Sequence, residues 1–529
     1  MTECVLHTKI DECKPRSDLV KRWLGLWRQC QRHQEDSDGF RFVVFVANPC
    51  LELLECMLGC MGAGLVVVPL NWRWSLKDMC HALVDMQDAI VGIVVDEHFE
   101  QVGESLLSSI CDGNGIAEYV KLSAAPKAMQ PLVTLSKAPH DVACIIFTSG
   151  TASKPKAAML THDNIIFQCY QKVACCGYRE SDVYLHMAPL FHVGGLVSAL
   201  AMTTAGARHV FMPSPQFDAC VALELIREHS CTSFIAVPTM LRDMLDTNDR
   251  CCQGRALDTV QRVLIGAGGL DESDAVRAQR MIPHATLLTA YGMTEACSSM
   301  SYNVIRSGQP ADGGGSMEHV YVGEIPDGIH LGIANSHGYV HHEGKGEIVT
   351  RGRHVFYSYY TGKTTGKILP DFLCDACGNT WFRTGDLGLI ADGNKLWLSG
   401  RLKDVIKSGG ENVAAAEVER TLMKHPDIVE CSVYAIPDAR WGEAVAAAVV
   451  CGSATIPNGR LLVTPSLHGT VYQRIKAHCM QCSLSPFKIP KYIMLCSTAL
   501  PRNATGKVVK HALQKATMDV MARDSHSKL

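Results

Sequence analysis

The sequence predicts an α/β protein: a large N-terminal domain of parallel or mixed sheets covered by helices, followed by a small α+β domain. Three observations predict it. At 529 residues the chain exceeds what one hydrophobic core holds, so two or more domains are expected. Hydrophobic residues make up 47% and charged residues 19%, a balance that excludes disordered and fibrous classes. Short β-type runs alternate with helix-length amphipathic stretches, the rhythm of parallel sheets covered on both faces by helices.

The elements follow in order. Residues 41–47 read as a strand, 51–61 as a helix and 65–68 as a strand. Residues 207–212, 232–237, 262–267 and 286–289 are further apolar β-type runs separated by helical segments. No repeat of solenoid period is visible. Near Gly400 the rhythm changes: 415–425 is helical, 429–436 and 445–451 are strand-like, 471–482 is helical, 492–496 is a strand, and a helix starts at Val508. This set suits a compact α+β domain of about 120 residues. Residues 452–469, with their prolines, glycines and serines, read as a surface loop within it. The expected division is 1–400, 401–522 and a tail at 523–529.

A formal charge of −3 without a long basic stripe gives no case for nucleic acid. The longest apolar run, 56–70, holds three glycines and a proline and is too short to span a bilayer. Residues 1–15 lack the apolar core of a secretory signal, so a soluble protein is expected. The 24 cysteines are irregularly spaced, and many, such as Cys56 and Cys60, sit in apolar segments. They read as reduced thiols acting as small hydrophobes. The pairs Cys374/Cys377 and Cys479/Cys482 lie too far apart for a zinc ribbon.

Five segments carry chemistry. A buried strand through Ile145, Ile146 and Phe147 runs into Thr148, Ser149, Gly150, Thr151, Ala152, Ser153, Lys154, Pro155 and Lys156. Hydroxyls and free backbone N–H groups wrap phosphate oxygens, and lysines neutralise their charge; the same composition also makes an ordinary solvated turn. The spacing is not G-x-x-x-x-G-K-[ST], which disfavours a P-loop kinase or GTPase. After the strand at 286–289 come Tyr291, Gly292, Met293, Thr294 and Glu295. Glu295 reads either as a helix-start residue favoured by the dipole or as a hard oxygen ligand for Mg²⁺, with Thr294 reaching a phosphate. Asp386 closes Trp381, Phe382, Arg383, Thr384 and Gly385, as an acceptor for two ribose hydroxyls or as a turn aspartate. The fourth segment is 400–412, from Gly400 and Arg401 to Asn412. The fifth, 501–507, ends in the glycine-hinged Lys507.

In this order and at these separations, the set resembles the acyl-activating, adenylate-forming superfamily of acyl- and aryl-CoA ligases, luciferases and nonribosomal-peptide adenylation domains. The resemblance spans residues 43–510. It implies ATP, Mg²⁺ and coenzyme A as cosubstrates of an AMP-forming acid–CoA ligase. It implies that Thr148, Ser149, Gly150, Thr151, Lys154 and Lys156 form the phosphate loop, with Thr151 joining Glu295 at the metal. Residues 266–269, including Gly268, with Tyr291 and Gly292 match the adenine pocket, and Thr294 the α-phosphate position. Asp386 and Arg401 match ribose ligands, and Lys507 the lysine that bridges substrate carboxylate and α-phosphate. Lys403 matches the hinge of a small lid domain, and Lys407 with Ser408, Gly409 and Gly410 the segment that faces the thiolation site after the hinge turns. The chemistry is mostly positioning and charge neutralisation, which is why lysines, hydroxyls and a metal take the place of a nucleophile.

One departure stands out. Ala152, Ser153 and Ala157 replace the usual Thr-Gly and final Gly, removing a hydroxyl and stiffening the loop. Retention of Lys156, Glu295, Asp386, Arg401 and Lys507 favours activity over a degenerate binding paralogue.

Segments 69–77, 182–196 and 291–299 are similar to the plant-type 2-succinylbenzoate–CoA ligases of phylloquinone and menaquinone synthesis, whose members end in a peroxisomal signal. The rival within the fold is a 4-coumarate or fatty acyl–CoA ligase. A dicarboxylic acid needs a second anion site, for which Ser298 and Ser299 offer hydroxyls. His192 packs beside the ring or is a core histidine; Gly194 and Gly195 leave room, and Gly269 borders the same pocket. Ser527-Lys528-Leu529 forms a peroxisomal address read by an import receptor, with a second compartment such as the chloroplast left open.

Overall fold

A computed structural model describes residues 5–6, 40–110, 118–122, 141–148, 155–266, 270, 272–305, 319–335, 338–362, 371–452, 460–464, 469–502 and 508–526. Apolar runs without polar alternation belong in sheets buried on both faces, and the strand Phe42–Val46 shows this. Its Val43 and Phe45 enter one core, while Phe42, Val44 and Val46 enter another. A seven-stranded sheet is built around it in the order 358–360, 156–161, 142–148, 66–69, 42–46, 90–95 and 118–121. Helix Leu51–Gly62 follows strand Phe42–Val46, its start capped by the Cys50 sulfur accepting from Leu53 N at 3.4 Å.

A fourteen-stranded sheet holds the second set of apolar runs. Strands Arg208–Phe211, Val183–His186, Ser233–Ala236, Arg262–Ile265 and Thr286–Met293 lie parallel side by side. Beyond Thr286–Met293 the sheet turns antiparallel through Ser298–Ile305, Val320–Glu324, Lys395–Arg401, Thr380–Ala391 and Gly344–Arg351. The shared core between the two sheets takes in helices Leu51–Gly62, His162–Cys176 and Val193–Ala205. Thr161 and Asn164 form a reciprocal capping box at the start of His162–Cys176, and Gly177 ends it at φ 68°.

The third sheet, six-stranded, takes its strands from Val405 to Cys496. Strand Gly442–Cys451 divides two cores: Val445, Ala447 and Val449 pack toward Val418 and Ile475, whereas Ala444, Ala446 and Ala448 face Leu513 of helix Lys510–His526. The fold is thus a large N-terminal α/β unit with mixed sheets and a smaller C-terminal unit of sheet and helices.

The segment 452–469 departs from its expectation as a loop. Arg460–Val463 is a strand, paired antiparallel with Tyr492–Cys496. The flanking Pro, Gly and Ser residues mask a run, Leu461-Leu462-Val463, that finds an open sheet edge only once the chain has folded. The strand expected at 286–289 extends to Met293, because Ser298–Ile305 supplies an antiparallel partner to its far end. Among the described residues, no helix is long and apolar enough to cross a membrane. The cysteines described are free thiols; Cys374 and Cys377 are exposed, and Cys479 is buried in the small unit.

Candidate active site

The segments after Val142–Thr148 and at the end of Thr286–Met293 lie at C-terminal ends of strands with a parallel neighbour, where open α/β sheets place ligands. Asp386 lies within a strand, not a turn, in the antiparallel pair Thr380–Ala391 and Lys395–Arg401. Residues 149–155 connect Val142–Thr148 to the antiparallel Lys156–Thr161, with Thr148 opposite Lys156. Ser149, Gly150, Thr151, Ala152, Ser153, Lys154, Gly268, Gly269, Lys507 and the final tripeptide lie outside the described residues. Ala157 does not belong to the loop expected to be stiffened, of which Ala152 and Ser153 lie outside the described residues. Ala157 sits inside the strand, opposite Phe147 and Tyr360, where the backbone has no need of glycine.

Lys156 leads into a line of contacts. Its Nζ lies 4.4 Å from the centre of the Tyr359 ring and 3.5 Å from Asp371 Oδ2. Tyr359 donates to Glu295 Oε1 at 2.6 Å. Burial and the Glu295 carboxylate together push the Tyr359 phenol far up, so it stays a protonated donor. Glu295 is buried, and one of its oxygens is occupied by this bond. The other leaves a hard, anionic ligand beside the Thr294 hydroxyl, a donor set that fits Mg²⁺.

Local backbone makes the Glu295 turn. Thr294–Ala296 is one 3₁₀ turn, after which Cys297 and Ser298 take φ of 53° and 140°. Neither is glycine, so the turn stores strain beside the site. Gly292 is required: a Cβ there would stand 1.7 Å from the Ser298 carbonyl oxygen. The Gln168 amide nitrogen fastens the turn from below, donating to Ala296 O at 3.0 Å and Ser299 O at 2.9 Å.

Asp386 stands at the centre of a second group. It accepts from Tyr291 OH at 2.9 Å and pairs with Arg401 Nε at 3.0 Å, Arg401 lying directly across the strand pair. Burial, then Asp386, raises the Tyr291 phenol well above its usual range. Thr384 Oγ1 accepts from Asp386 N at 3.1 Å and donates to Ile348 O at 2.7 Å. Arg383 and Gly385 N both reach the Glu347 carboxylate. The Asp386 backbone is thus fixed by its own strand, while its carboxylate is oriented by Tyr291 and Arg401 from two other strands, as a ribose acceptor requires. Tyr291 and Glu295 are four residues apart, and Arg383 N donates to Asp371 O at 2.8 Å. The Lys156 and Asp386 groups are accordingly linked into one ring, partly by contacts and partly by the backbone of 291–295 and 383–386.

The remaining expected residues fall around it. Arg401 ends the last strand of the large sheet before the 3₁₀ turn Leu402–Asp404, which carries the exposed Lys403. Val405–Ser408 and Glu411–Ala414 then form a hairpin whose tip, Gly409 and Gly410, has φ of 63° and 89°, the two left-handed positions of a tight turn. Lys407 is exposed, while its backbone N donates to Glu443 Oε2 at 2.8 Å; Ser408 is buried. His192 caps helix Val193–Ala205 without a side-chain cap bond. Gly195 serves packing rather than space for a ring, since a Cβ there would meet Pro189 O at 2.2 Å. Ser299 Oγ faces inward and accepts from Lys172. Tyr359, Asp371, Gln168 and Lys172 carry no signature in the sequence, because each acts through a partner more than 60 residues away.

A fold of this kind, with a buried carboxylate–hydroxyl turn, a half-exposed lysine and a tyrosine–aspartate–arginine triad in one ring, defines a nucleotide-using, acid-activating ligase. The AMP-binding enzyme family matches residues 37–360, and the AMP-binding enzyme C-terminal domain matches 417–507. The 2-succinylbenzoate–CoA ligase, chloroplastic/peroxisomal, of Arabidopsis thaliana is 31% identical over 494 residues, covering 88% of this chain and 86% of that one. A mouse mitochondrial malonate–CoA ligase is 29% identical over 485 residues, covering 86% and 78%. ATP-bound MatB from Rhodopseudomonas palustris superposes at a TM-score of 0.76 with 25% identity, covering 96% and 93%. The Bacillus subtilis o-succinylbenzoate CoA synthetase, in complex with its acyl-adenylate, shares the fold at 0.74 with 24% identity, covering 94% and 92%. The chain belongs to the AMP-binding enzyme family, and it is an ATP-dependent, AMP-forming acid–CoA ligase.

Proposed function

We propose that the acid is 2-succinylbenzoate, so that the protein makes 2-succinylbenzoyl-CoA in two half-reactions. In the first, carboxylate oxygen attacks the α-phosphorus of ATP, pyrophosphate leaves and an acyl-adenylate forms. In the second, the coenzyme A thiol attacks the acyl carbon, AMP leaves and the thioester forms. ATP, Mg²⁺ and coenzyme A are the cosubstrates. The observation that carries the reading is the ring of contacts joining Lys156, Tyr359, Glu295, Tyr291, Asp386 and Arg401. It supports the reading because the residues assigned to charge neutralisation, metal binding and ribose binding are linked to one another.

In this reading Thr148, Ser149, Gly150, Thr151, Lys154 and Lys156 hold the phosphates, and Gly268 and Tyr291 hold the base. Asp386 and Arg401 hold the ribose, while Lys507 bridges the carboxylate and α-phosphate. Glu295, with Thr151, holds Mg²⁺, which supplies charge neutralisation to the phosphates when bound. His192, Gly269, Ser298 and Ser299 border the acyl group. Residues 401–522 turn about Lys403 so that Lys407 and the Gly409–Gly410 tip replace Lys507 beside the adenylate, clearing a path for the thiol. The 31% identical Arabidopsis relative supports the choice of acid, and its chloroplastic/peroxisomal name supports peroxisomal import through Ser527-Lys528-Leu529.

The test is thioester formation, followed by mass spectrometry, across 2-succinylbenzoate, 4-coumarate, malonate and fatty acids. A kcat/KM at least tenfold higher for 2-succinylbenzoate is expected. A preference for any other acid in the panel refutes the assignment of substrate and leaves the ligase class intact.

A further inference from the structure

Behind the Glu295 turn lies a polar group that the adenylation chemistry does not use. Lys172, on helix His162–Cys176, is 1% exposed, and its Nζ donates to Ser299 Oγ at 3.3 Å. Among the described residues no carboxylate lies within ion-pair reach of it; its titratable neighbours are thiols such as Cys176 and Cys297, which burial keeps protonated. An ammonium in a dry interior without a counter-charge costs several kcal/mol, and burial accordingly pushes the Lys172 pKa down.

Polar groups crowd the same neighbourhood. Gln168 Oε1 is buried without a partner among the described residues. Tyr302 faces Ser299, Tyr178 faces Cys176, and Tyr184 faces Ser198, each within reach of a weak hydrogen bond. Protein interiors satisfy more than nine in ten buried polar groups, so an ammonium with one hydroxyl partner and no counter-charge marks a place suited to an anion.

The position says what that is. Ser299 pairs with Gly292 in the hairpin that carries Glu295, and Gln168 ties the Lys172 helix to both Ala296 and Ser299. Ser198 lies on the helix that begins just after His192. The cation therefore stands across the hairpin from the Glu295 turn, among tyrosine and cysteine side chains.

We infer that Lys172, with the Ser299 and Tyr302 hydroxyls, receives the second carboxylate of a dicarboxylic acid whose first carboxylate is adenylated at the Glu295 turn. The inference rests on the acid–CoA ligase reading above and extends it to a charge requirement. A monocarboxylic acid leaves the ammonium unpaired in the interior, which makes the subsite reject it as well as select its rival.

The test compares 2-succinylbenzoate with 3-benzoylpropionate, the same acid without its ring carboxylate, in wild type, Lys172→Met, Lys172→Arg and Ser299→Ala. Met matches the volume of lysine, and apolar replacement of a buried charge is commonly neutral or stabilising, so folding is retained. Lys172→Met is expected to lower kcat/KM for 2-succinylbenzoate about a hundredfold, mainly through KM, and to change 3-benzoylpropionate by less than about threefold. Lys172→Arg is expected to recover part of the loss, and Ser299→Ala to give a smaller loss of the same selectivity. Equal losses on both acids, or no loss on either, overturn the proposal. Calorimetric binding of 2-succinylbenzoate separates the two readings. Lys172-dependent binding by a wild type that turns over neither acid refutes the ligase reading and upholds the subsite, whereas no binding refutes the subsite.

Discussion

Replacing Tyr359 with phenylalanine removes one hydroxyl from the centre of the site and nothing else. The ring remains, so the Lys156 ammonium keeps the aromatic face that it meets at 4.4 Å. What is lost is the 2.6 Å bond to Glu295 Oε1, made to a carboxylate that is 8% exposed. A hydrogen bond to a charged group contributes roughly 1.5–3 kcal/mol, which in a rate is about a ten- to hundredfold change. The loss falls on the orientation of Glu295, and through it on the affinity for Mg²⁺. In a pyrophosphate-release assay with saturating acid and ATP, Tyr359→Phe is expected to be at least about tenfold slower at low Mg²⁺. Excess Mg²⁺ should restore part of the rate. Tyr359→Ala, which also removes the platform under Lys156, should be slower still and unresponsive to Mg²⁺. A Phe variant matching wild type at every Mg²⁺ concentration refutes the argument that Tyr359 orients the metal ligand.

Further outcomes follow from the same geometry. Gly292→Ala puts a methyl 1.7 Å from Ser298 O. The hairpin must open, so the variant should be insoluble or melt well below wild type, and an unchanged melting curve contradicts the close approach. Buried His209 and His354 have pKa values lowered to about 4 and about 3, chiefly by desolvation. A depressed folded-state pKa means that stability is full above the unfolded value near 6.5 and is lost as pH falls toward the folded value. For His209 the loss amounts to about 3 kcal/mol. Denaturant midpoints should therefore drop between about pH 6.5 and 4, less steeply in His209→Gln, and a flat midpoint across that range rules the effect out. Lys407→Ala is expected to keep pyrophosphate release while slowing thioester formation tenfold or more; parallel losses in both assays argue against a role confined to the second half-reaction.

Much of the fold was legible because its strands are apolar on both faces. Phe42–Val46 and Arg262–Ile265 announce themselves as uninterrupted runs, since neither side meets water. Arg460–Val463 escaped because its pairing with Tyr492–Cys496 depends on a sheet edge that local sequence does not encode. The segments around Thr148, Glu295 and Asp386 stood out in the sequence as hydroxyl-, glycine- and charge-bearing stretches beside apolar runs. Tyr359 and Lys172 were not, because a tyrosine near a strand end and a lysine within a helix look like any other until the chain brings Glu295 and Ser299 beside them.

The order of motifs along the chain, through its resemblance to a known superfamily, determined the reaction class, because the residue types able to neutralise phosphate charge and hold a ribose are few. Tertiary structure alone decided which hydroxyl orients Glu295, which strand opposes Asp386, and where an unpaired ammonium is buried. Those are contacts between residues distant in sequence, and their energies depend on burial and on angstrom-scale distances that no linear pattern contains.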